Sequence, residues 1–273
     1  MINGKEVTEY CFSSRIHSNT STTHEEFLKQ PATAFLSFVL DAKDAIEECK
    51  TRFTKLPNYH LTRDSYSKIQ NIINSTLASI MGYFETYEKH TFARIFELTT
   101  YFHSFNATKF FSKICDDRYV FPTKINNLLA YRSSPTSVGL IVADCLSGWH
   151  NPNKVNEYFK AYWNNTAIFT SEDVNDLELL WQFRHSIVHT AGTITMPDAQ
   201  KNPKLREFGN RDIIFTNKFI YELSKRFHNM VYNANARIET KLNQSISGDV
   251  PQEEKQKMLN YFAVKSKNAI WLR

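Results

Sequence analysis

The sequence predicts an all-α protein, a helical bundle, and three observations lead to this prediction. Apolar residues make up 42% of the 273 residues, enough for a sizeable core. Only 7 Gly and 8 Pro are present, fewer turn residues than an all-β sandwich needs. Apolar residues recur at helical spacing over long stretches. We expect a loose arm over residues 1–22, without a clear period, followed by a single helical domain over 23–273.

The first predicted helices lie between the arm and about residue 105. Thr23-His24-Glu25-Glu26 has the form of a capping box. After Pro31 a single apolar stripe predicts a helix that Pro57 ends. Asp64 is the expected cap of the next helix, whose pattern continues to about Phe105. Because that is long for a globular helix, we expect a kink or break near Gly82 or His90.

The second half of the chain predicts shorter elements. Residues 116–136 are typical of a connector with one helical turn, and short helices are expected at 137–147 and 153–163. Thr170-Ser171-Glu172-Asp173 is another capping box, and it opens a helix that Gly192 is expected to stop. Residues 193–214 predict a loop with a short hairpin. Two further helices are expected at about 216–243 and 252–265.

Composition also bears on the compartment. The first residues lack a basic stretch followed by an apolar one, so no signal peptide is expected. The most apolar stretch, Val138 to Leu146, is far too short to span a membrane. The four cysteines are scattered and form no CxxC pair, which favours reduced thiols in a cytoplasmic protein and gives no support to a zinc finger. No glycine-rich phosphate loop is present, and no cofactor is expected.

Charge is distributed unevenly along the chain. Residues 201–273 hold 14 Lys and Arg against 7 Asp and Glu, a net charge of +7, whereas residues 1–200 hold 19 against 21, a net of −2. A basic C-terminal third is suited to attract a polyanion such as RNA. A solvated set of helix faces explains the same charges.

The predicted helix over 171–190 carries two adjacent stripes. One is polar, and the other is apolar except for Arg184. A charge in an apolar row is costly unless an anion neutralises it, and the anion is either an internal carboxylate or a phosphate at a cleft or interface. The polar stripe consists of Glu178, Gln182, His185 and His189.

Arg184 and His189 are residue types suited to cleaving RNA. They lie five residues apart, about 140° around a straight helix, so one copy makes a poor two-sided site. A homodimer would gather two Arg and two His around one cleft. His titrates near neutrality and can move protons at the 2′-OH and at the leaving oxygen. Arg presents a planar donor fork to the charged phosphate, and no metal is required.

In this setting the segment Trp181-Gln-Phe-Arg184-His185-Ser-Ile-Val-His189-Thr-Ala-Gly192 resembles the signature helix of the HEPN superfamily. The family motif is Arg, four to six residues and then His, often with a polar residue directly after the Arg. The resemblance covers residues 170–192 and extends loosely over the earlier helices from about residue 64. It places a HEPN-like core at about 64–243, with an additional N-terminal helix and C-terminal helices.

The resemblance implies a dimer with facing motifs and metal-independent endoribonuclease activity, in many members as a toxin or anti-phage effector. Arg184 and His189 would then be catalytic, with His185 supporting them. The family often has a polar or acidic residue on an earlier helix, and Glu85 and Glu88 are the candidates here. The expected partners are RNA, a second copy and a cognate antitoxin or regulatory protein, with no membrane.

Three alternatives remain open at this stage. Some family members lack activity, so the chain is alternatively an inactive HEPN-like module that binds RNA or a protein. His185 and His189 are spaced as zinc ligands can be, but Ser186 stands where a zinc hydrolase helix carries Glu. Most aromatic rings lie at core spacing, and the three kept as candidates for base stacking are Tyr158, Tyr162 and Trp163.

Overall fold

The computed structural model describes residues 4–7, 10–13, 24–58, 60–114, 136–163, 166–216 and 218–264. Within these ranges it is a helical bundle, which confirms the predicted all-α class. The helices are α1 His24–Lys29, α2 Pro31–Arg52, α3 Arg63–Leu98, α4 Ala107–Ile114, α5 Val138–Cys145, α6 Pro152–Tyr162, α7 Ser171–Thr190, α8 Met196–Lys201, α9 Phe219–Ser245 and α10 Gln252–Asn260. Short 3-10 helices lie at Thr99–Tyr101 and Pro203–Phe208.

Two small antiparallel sheets accompany the described helices. Strands β1 (Gly4–Val7) and β2 (Tyr10–Ser13) pair with each other inside the predicted N-terminal arm. Strands β3 (Thr193–Ile194) and β4 (Arg211–Asp212) pair directly after α7. The second pair lies in the segment 193–214, for which the sequence predicts a loop with a short hairpin, but 16 residues separate its two strands. The sequence does not predict α8 or the 3-10 helix that lie between its strands.

Helix α3 runs through the centre of the bundle without the predicted break near Gly82 or His90. Gly82 faces open space, so no close contact forces the backbone to bend there. A glycine inside a helix costs about 1 kcal/mol relative to alanine. Burial of apolar side chains on both sides of it against one core offsets this cost, and they include Ile69, Ile73, Leu77, Ile80, Phe84 and Phe92.

Several predicted boundaries shift in the structure. Thr62 caps α3 by accepting a hydrogen bond from the Ser65 backbone, whereas the predicted cap, Asp64, lies in the first turn and pairs with Lys68. Helix α4 falls in a segment for which no helix was predicted. The last helix, α10, ends at Asn260 rather than near 265. The predicted cap at Thr23 and nearly all of the predicted connector lie outside the described residues.

The core is a continuous cluster of apolar side chains in which α2, α5 and α7 pack against α3. Helix α5 approaches α3 so closely that a Cβ atom at Gly139 would lie 2.2 Å from the Ala93 carbonyl oxygen. In the centre, the Tyr87 hydroxyl donates to the Asn235 side chain, which in turn donates to the Phe262 carbonyl. No helix in the described part of the chain is both long and apolar enough to cross a membrane. The bundle thus presents α7 with one face toward α3 and another toward solvent.

Candidate functional site

Helix α7 is fixed firmly at its start and ends in an unusual turn. Thr170 accepts a hydrogen bond from the Asp173 backbone, and the Asp173 carboxylate accepts one from the Thr170 backbone, as the capping-box motif predicts. At the other end Ala191 and Gly192 both have left-handed backbones, with φ of 54° and 89°. Their N–H groups both donate to the Ser186 carbonyl. This turn ends the helix just after His189.

Arg184 is half-buried near the end of α7. Its Nε atom is enclosed and has no hydrogen-bond partner among the described residues. No described carboxylate lies within ion-pair distance of its guanidinium, although the sequence allowed for an internal carboxylate. A half-buried guanidinium without a carboxylate partner is suited to hold an anion.

His185 and His189 are exposed and lie one turn apart on the same face. Their ring centroids are 4.7 Å apart. His185 Nε2 also lies 3.9 Å from Oδ1 of Asp198, which belongs to α8. The structure therefore brings the two histidines together and places the Asp198 carboxylate close to His185.

Asp198 is a candidate residue that the sequence did not reveal. It is only 5% exposed. Hydrogen bonds from the Lys201 ammonium, at 2.6 Å, and from the Thr195 hydroxyl, at 2.8 Å, hold the pKa of its carboxyl below the ordinary value despite burial. The signal was present in Thr195-Met-Pro-Asp198, a helix start with a cap and an early proline. The nearby prolines favoured a loop prediction instead.

A groove of about 450 Å³ runs beside the polar stripe of α7. Its floor includes Glu178 and Gln182, and it ends at His185. Its walls come from the start of α6 and the end of α8. The remaining lining residues are His150, Asn151, Pro152, Trp181, Lys201 and Asn202. Three residues of the polar stripe predicted from sequence, Glu178, Gln182 and His185, therefore line one groove, and His189 lies one turn beyond it.

Glu85 and Glu88 lie on α3, in environments that differ from one another. The Glu85 carboxylate pairs with Lys89 at 2.8 Å and has no described contact with Arg184 or His189. Glu88 is fully buried, neither of its carboxylate oxygens has a hydrogen-bond partner among the described residues, and burial raises its pKa well above the ordinary value. Within one copy, therefore, Glu85 does not contact the Arg184–His189 region.

Part of the positive charge after residue 200 is neutralised by carboxylates of α7. Asp176 of α7 pairs with both Lys204 and Arg226, and Asp173 lies 3.9 Å from Arg237. Two exposed arginines in the segment that follows α7, Arg206 and Arg211, have no ion-pair partner among the described residues, and Arg211 lies over the Phe208 ring. These two side chains remain available to an anionic ligand.

The structure also bears on the three aromatic candidates for base stacking and on the alternative of a metal site. Tyr158, Tyr162 and Trp163 are 3%, 9% and 7% exposed, so they belong to the core and are not available to stack on bases. Among the described residues, no three or more His, Cys, Asp or Glu side chains converge as metal ligands.

The comparisons with known proteins supply no relatives. No family model matches the chain, and no curated protein or solved structure is significantly similar to it.

Proposed function

We propose that this chain is a metal-independent endoribonuclease of the HEPN type, with Arg184 and His189 as its catalytic residues and His185 in support. The observation that carries the proposal is the enclosed, unpartnered Nε of Arg184 on the same two helical turns as the exposed histidine pair. A phosphodiester would neutralise the guanidinium, and the imidazoles lie where a bound strand can reach them.

The proposed reaction uses the RNA's own nucleophile. A histidine accepts the 2′-OH proton while the 2′-oxygen attacks the adjacent phosphorus. The bond from phosphorus to the 5′-oxygen breaks, and a second histidine protonates that oxygen. The products are a 2′,3′-cyclic phosphate and a 5′-hydroxyl. Arg184 stabilises the extra negative charge on the phosphoryl oxygens.

The second proton-transfer group is proposed to come from a second copy of the chain. Two apolar side chains close to the end of α7 are exposed, Val188 at 48% and Ile214 at 68%. A hydrogen bond from the Ile213 backbone to the Gly192 carbonyl holds the chain next to Ile214 against the end of α7. A twofold contact here would bury this surface and bring two His189 side chains to one cleft. Full activity of a strictly monomeric species at nanomolar concentration would contradict this arrangement.

RNA is the proposed substrate, with Arg206 and Arg211 as its additional phosphate contacts. Binding through phosphates releases counterions, so the affinity should fall as salt rises. Arg206→Ala combined with Arg211→Ala should make this salt dependence shallower. The matched change at Lys225 and Lys257 should not, because glutamates already neutralise both ammonium groups. An RNA affinity that does not vary with salt would contradict phosphate-driven binding.

The family resemblance suggests the biological setting. By that analogy we propose a cytoplasmic toxin or anti-phage effector that a cognate antitoxin or regulatory protein restrains. Co-expression with genes encoded beside it, scored by rescue of growth, would identify such a partner.

The decisive experiment compares cleavage of an all-RNA substrate and its 2′-deoxy counterpart in the presence of EDTA. We expect cleavage of the RNA alone, with a cyclic phosphate end. His189→Ala should lower the rate by about 10² to 10⁴, whereas His60→Ala, an exposed histidine before α3, should have no effect. Equal cleavage of both substrates, or cleavage abolished by EDTA, would overturn the mechanism. RNA binding without cleavage would instead indicate the inactive binding module.

A further inference from the structure

The groove beside α7 is lined by one polar group without a hydrogen-bond partner and by a carboxylate with a single protein partner. Trp181 is 8% exposed, and its indole N–H has no acceptor among the described residues. Glu178 is half-buried, accepts one hydrogen bond from the Asn153 amide at 2.8 Å, and has no described cation partner. A buried N–H that lacks an acceptor calls for an explanation, and a missing ligand is one.

These groups define the chemistry of a ligand. An indole N–H only donates, and an ionised carboxylate only accepts. A matching ligand therefore carries a hydrogen-bond acceptor and a donor on one edge. Adenine, cytosine and guanine have this pattern, with an exocyclic amino group that offers two N–H donors beside a ring acceptor, whereas uracil offers only a single ring N–H. The exposed His150 ring lies edge-on to Trp181, at a centroid distance of 6.2 Å, and adds an aromatic surface to the same place.

The groove is also large enough for a nucleotide, and it extends along α7 from Glu178 to His185. Its volume of about 450 Å³ is in the usual range of small-molecule sites. Glu178 and His185 are seven residues apart, about 10 Å along the helix axis. A nucleotide with its base at one end and its phosphate at the other can bridge that distance. The carboxylate of Glu178 repels a phosphate, so the base belongs at the Glu178 end and the phosphate at the histidine end.

From this juxtaposition we propose that the groove binds an unpaired, amino-bearing nucleobase of the RNA next to the bond that is cut. Trp181 donates to the ring acceptor and Glu178 accepts from the amino group. The groove is thus the specificity site of the enzyme. This assignment depends on the proposed ribonuclease function for its link to a cleaved bond, but base binding is measurable without cleavage.

The first measurement is binding of small probes to the full chain by calorimetry, because none of these probes contains the phosphodiester bond that the proposed reaction breaks. The probes are adenosine 3′-monophosphate, cytidine 3′-monophosphate, uridine 3′-monophosphate and ribose 5-phosphate. We expect the adenosine and cytidine probes to bind at least tenfold more tightly than the sugar phosphate, and uridine to bind more weakly than either. Equal binding of all four probes would overturn the proposal, because the base would then contribute nothing.

The second measurement uses matched tryptophan variants. Trp181→Phe keeps most of the packing but removes the N–H, and should weaken binding of the adenosine probe by about 5- to 10-fold. Trp163→Phe removes an equally buried and unpartnered N–H outside the groove, and should leave binding unchanged. Likewise, Glu178→Gln should weaken binding, whereas Glu172→Gln in the exposed first turn should not. If the two tryptophan variants, or the two glutamate variants, weakened binding equally, the result would contradict the proposed base site.

The outcomes separate the two proposals. If the protein cleaves RNA but the groove variants keep the wild-type cleavage pattern, the base site is wrong and the ribonuclease remains. If the nucleotides bind as expected but RNA is never cut, the ribonuclease is wrong and the groove is a nucleotide-binding site.

Discussion

The two halves of α7 differ in how completely their polar groups are satisfied. In the first half, Asp173 completes a capping box and Asp176 pairs with two cations. In the second half, neither the Trp181 N–H nor the Arg184 Nε has a partner among the described residues. The exposed His185, Val188 and His189 follow directly.

We interpret this difference as a division between a part of the helix that serves the fold and a part that leaves groups for a ligand. Sequences that fold well satisfy their buried polar groups, and departures are expected at functional sites. The first half anchors α7 to α9 through ion pairs with Asp173 and Asp176. The second half carries enclosed donors next to exposed imidazoles. The following predictions test whether changes in the first half of α7 alter stability and changes in the second half alter activity.

The largest effect is expected from Arg184→Lys. An ammonium cannot reproduce the two parallel hydrogen bonds of a guanidinium to a phosphate, so the cleavage rate should fall by roughly 10² to 10³. The matched change is Arg237→Lys, because Arg237 serves the first half of α7 by facing Asp173 and donating to the Ile168 carbonyl. It should lower the melting temperature but leave the cleavage rate unchanged. A comparable loss of cleavage rate in both variants would show that the two halves of α7 do not differ in this way.

Glu88, on α3, is an unpartnered buried group outside α7, and it allows a test of whether such groups always serve activity. It is buried without hydrogen-bond partners, but it lies outside the groove. Because its pKa in the folded protein is above the ordinary value of 4.5, the folded state binds its proton more tightly. The stability contribution of this group is therefore complete below pH 4.5 and declines as pH rises through the folded-state pKa.

Glu88→Gln should flatten that decline, because an amide does not ionise. Urea unfolding across pH 4 to 8 measures it. Glu239→Gln, an exposed carboxylate on α9, should leave the pH dependence as it is. Loss of cleavage in Glu88→Gln with unchanged stability would show that an unpartnered group outside the groove also serves activity.

Thr170→Ala probes the first half of α7. Loss of the capping hydrogen bond should cost about 1 kcal/mol of unfolding free energy and leave the cleavage rate of the folded protein unchanged. Ser171→Ala, at the next residue, makes the same kind of change without removing the described cap. A cleavage defect in Thr170→Ala under conditions where the protein is folded would show that the first half is not purely structural.

Much of this architecture follows from local sequence signals. The start of α7 is predictable because Thr170 and Asp173 satisfy each other's backbone without help from the rest of the fold. Its end is predictable to within two residues because Gly192 adopts a left-handed backbone. The polar stripe from Glu178 to His189 follows from helical periodicity alone.

Other features depend on distant contacts and are not predictable in this way. Nothing in the local sequence indicates that α5 packs against Ala93 or that Asp198 reaches His185. The continuity of α3 through Gly82 likewise results from tertiary burial, which outweighs a weak local preference for a break. The groove beside Trp181 is a product of the same tertiary packing, because its walls come from α6 and α8.

The smallest expected effect concerns the turn that ends α7. Ala191 has φ of 54° and ψ of 30°, a left-handed conformation in which the Cβ atom crowds the following carbonyl. Ala191→Gly removes that crowding and should stabilise the protein by about 0.5 to 1 kcal/mol. The same substitution at Ala236, exposed inside α9, should destabilise it by about 1 kcal/mol because glycine disfavours a helix interior. Thermal unfolding of both variants measures these opposite changes in stability.

If Ala191→Gly raises the melting temperature and keeps the full cleavage rate, the strain at the end of α7 has no role in activity. If it raises the melting temperature and lowers the rate, the strained turn helps to hold His189 in place, and the second half of α7 has given up stability for activity. A melting temperature that does not rise would contradict the assigned strain itself.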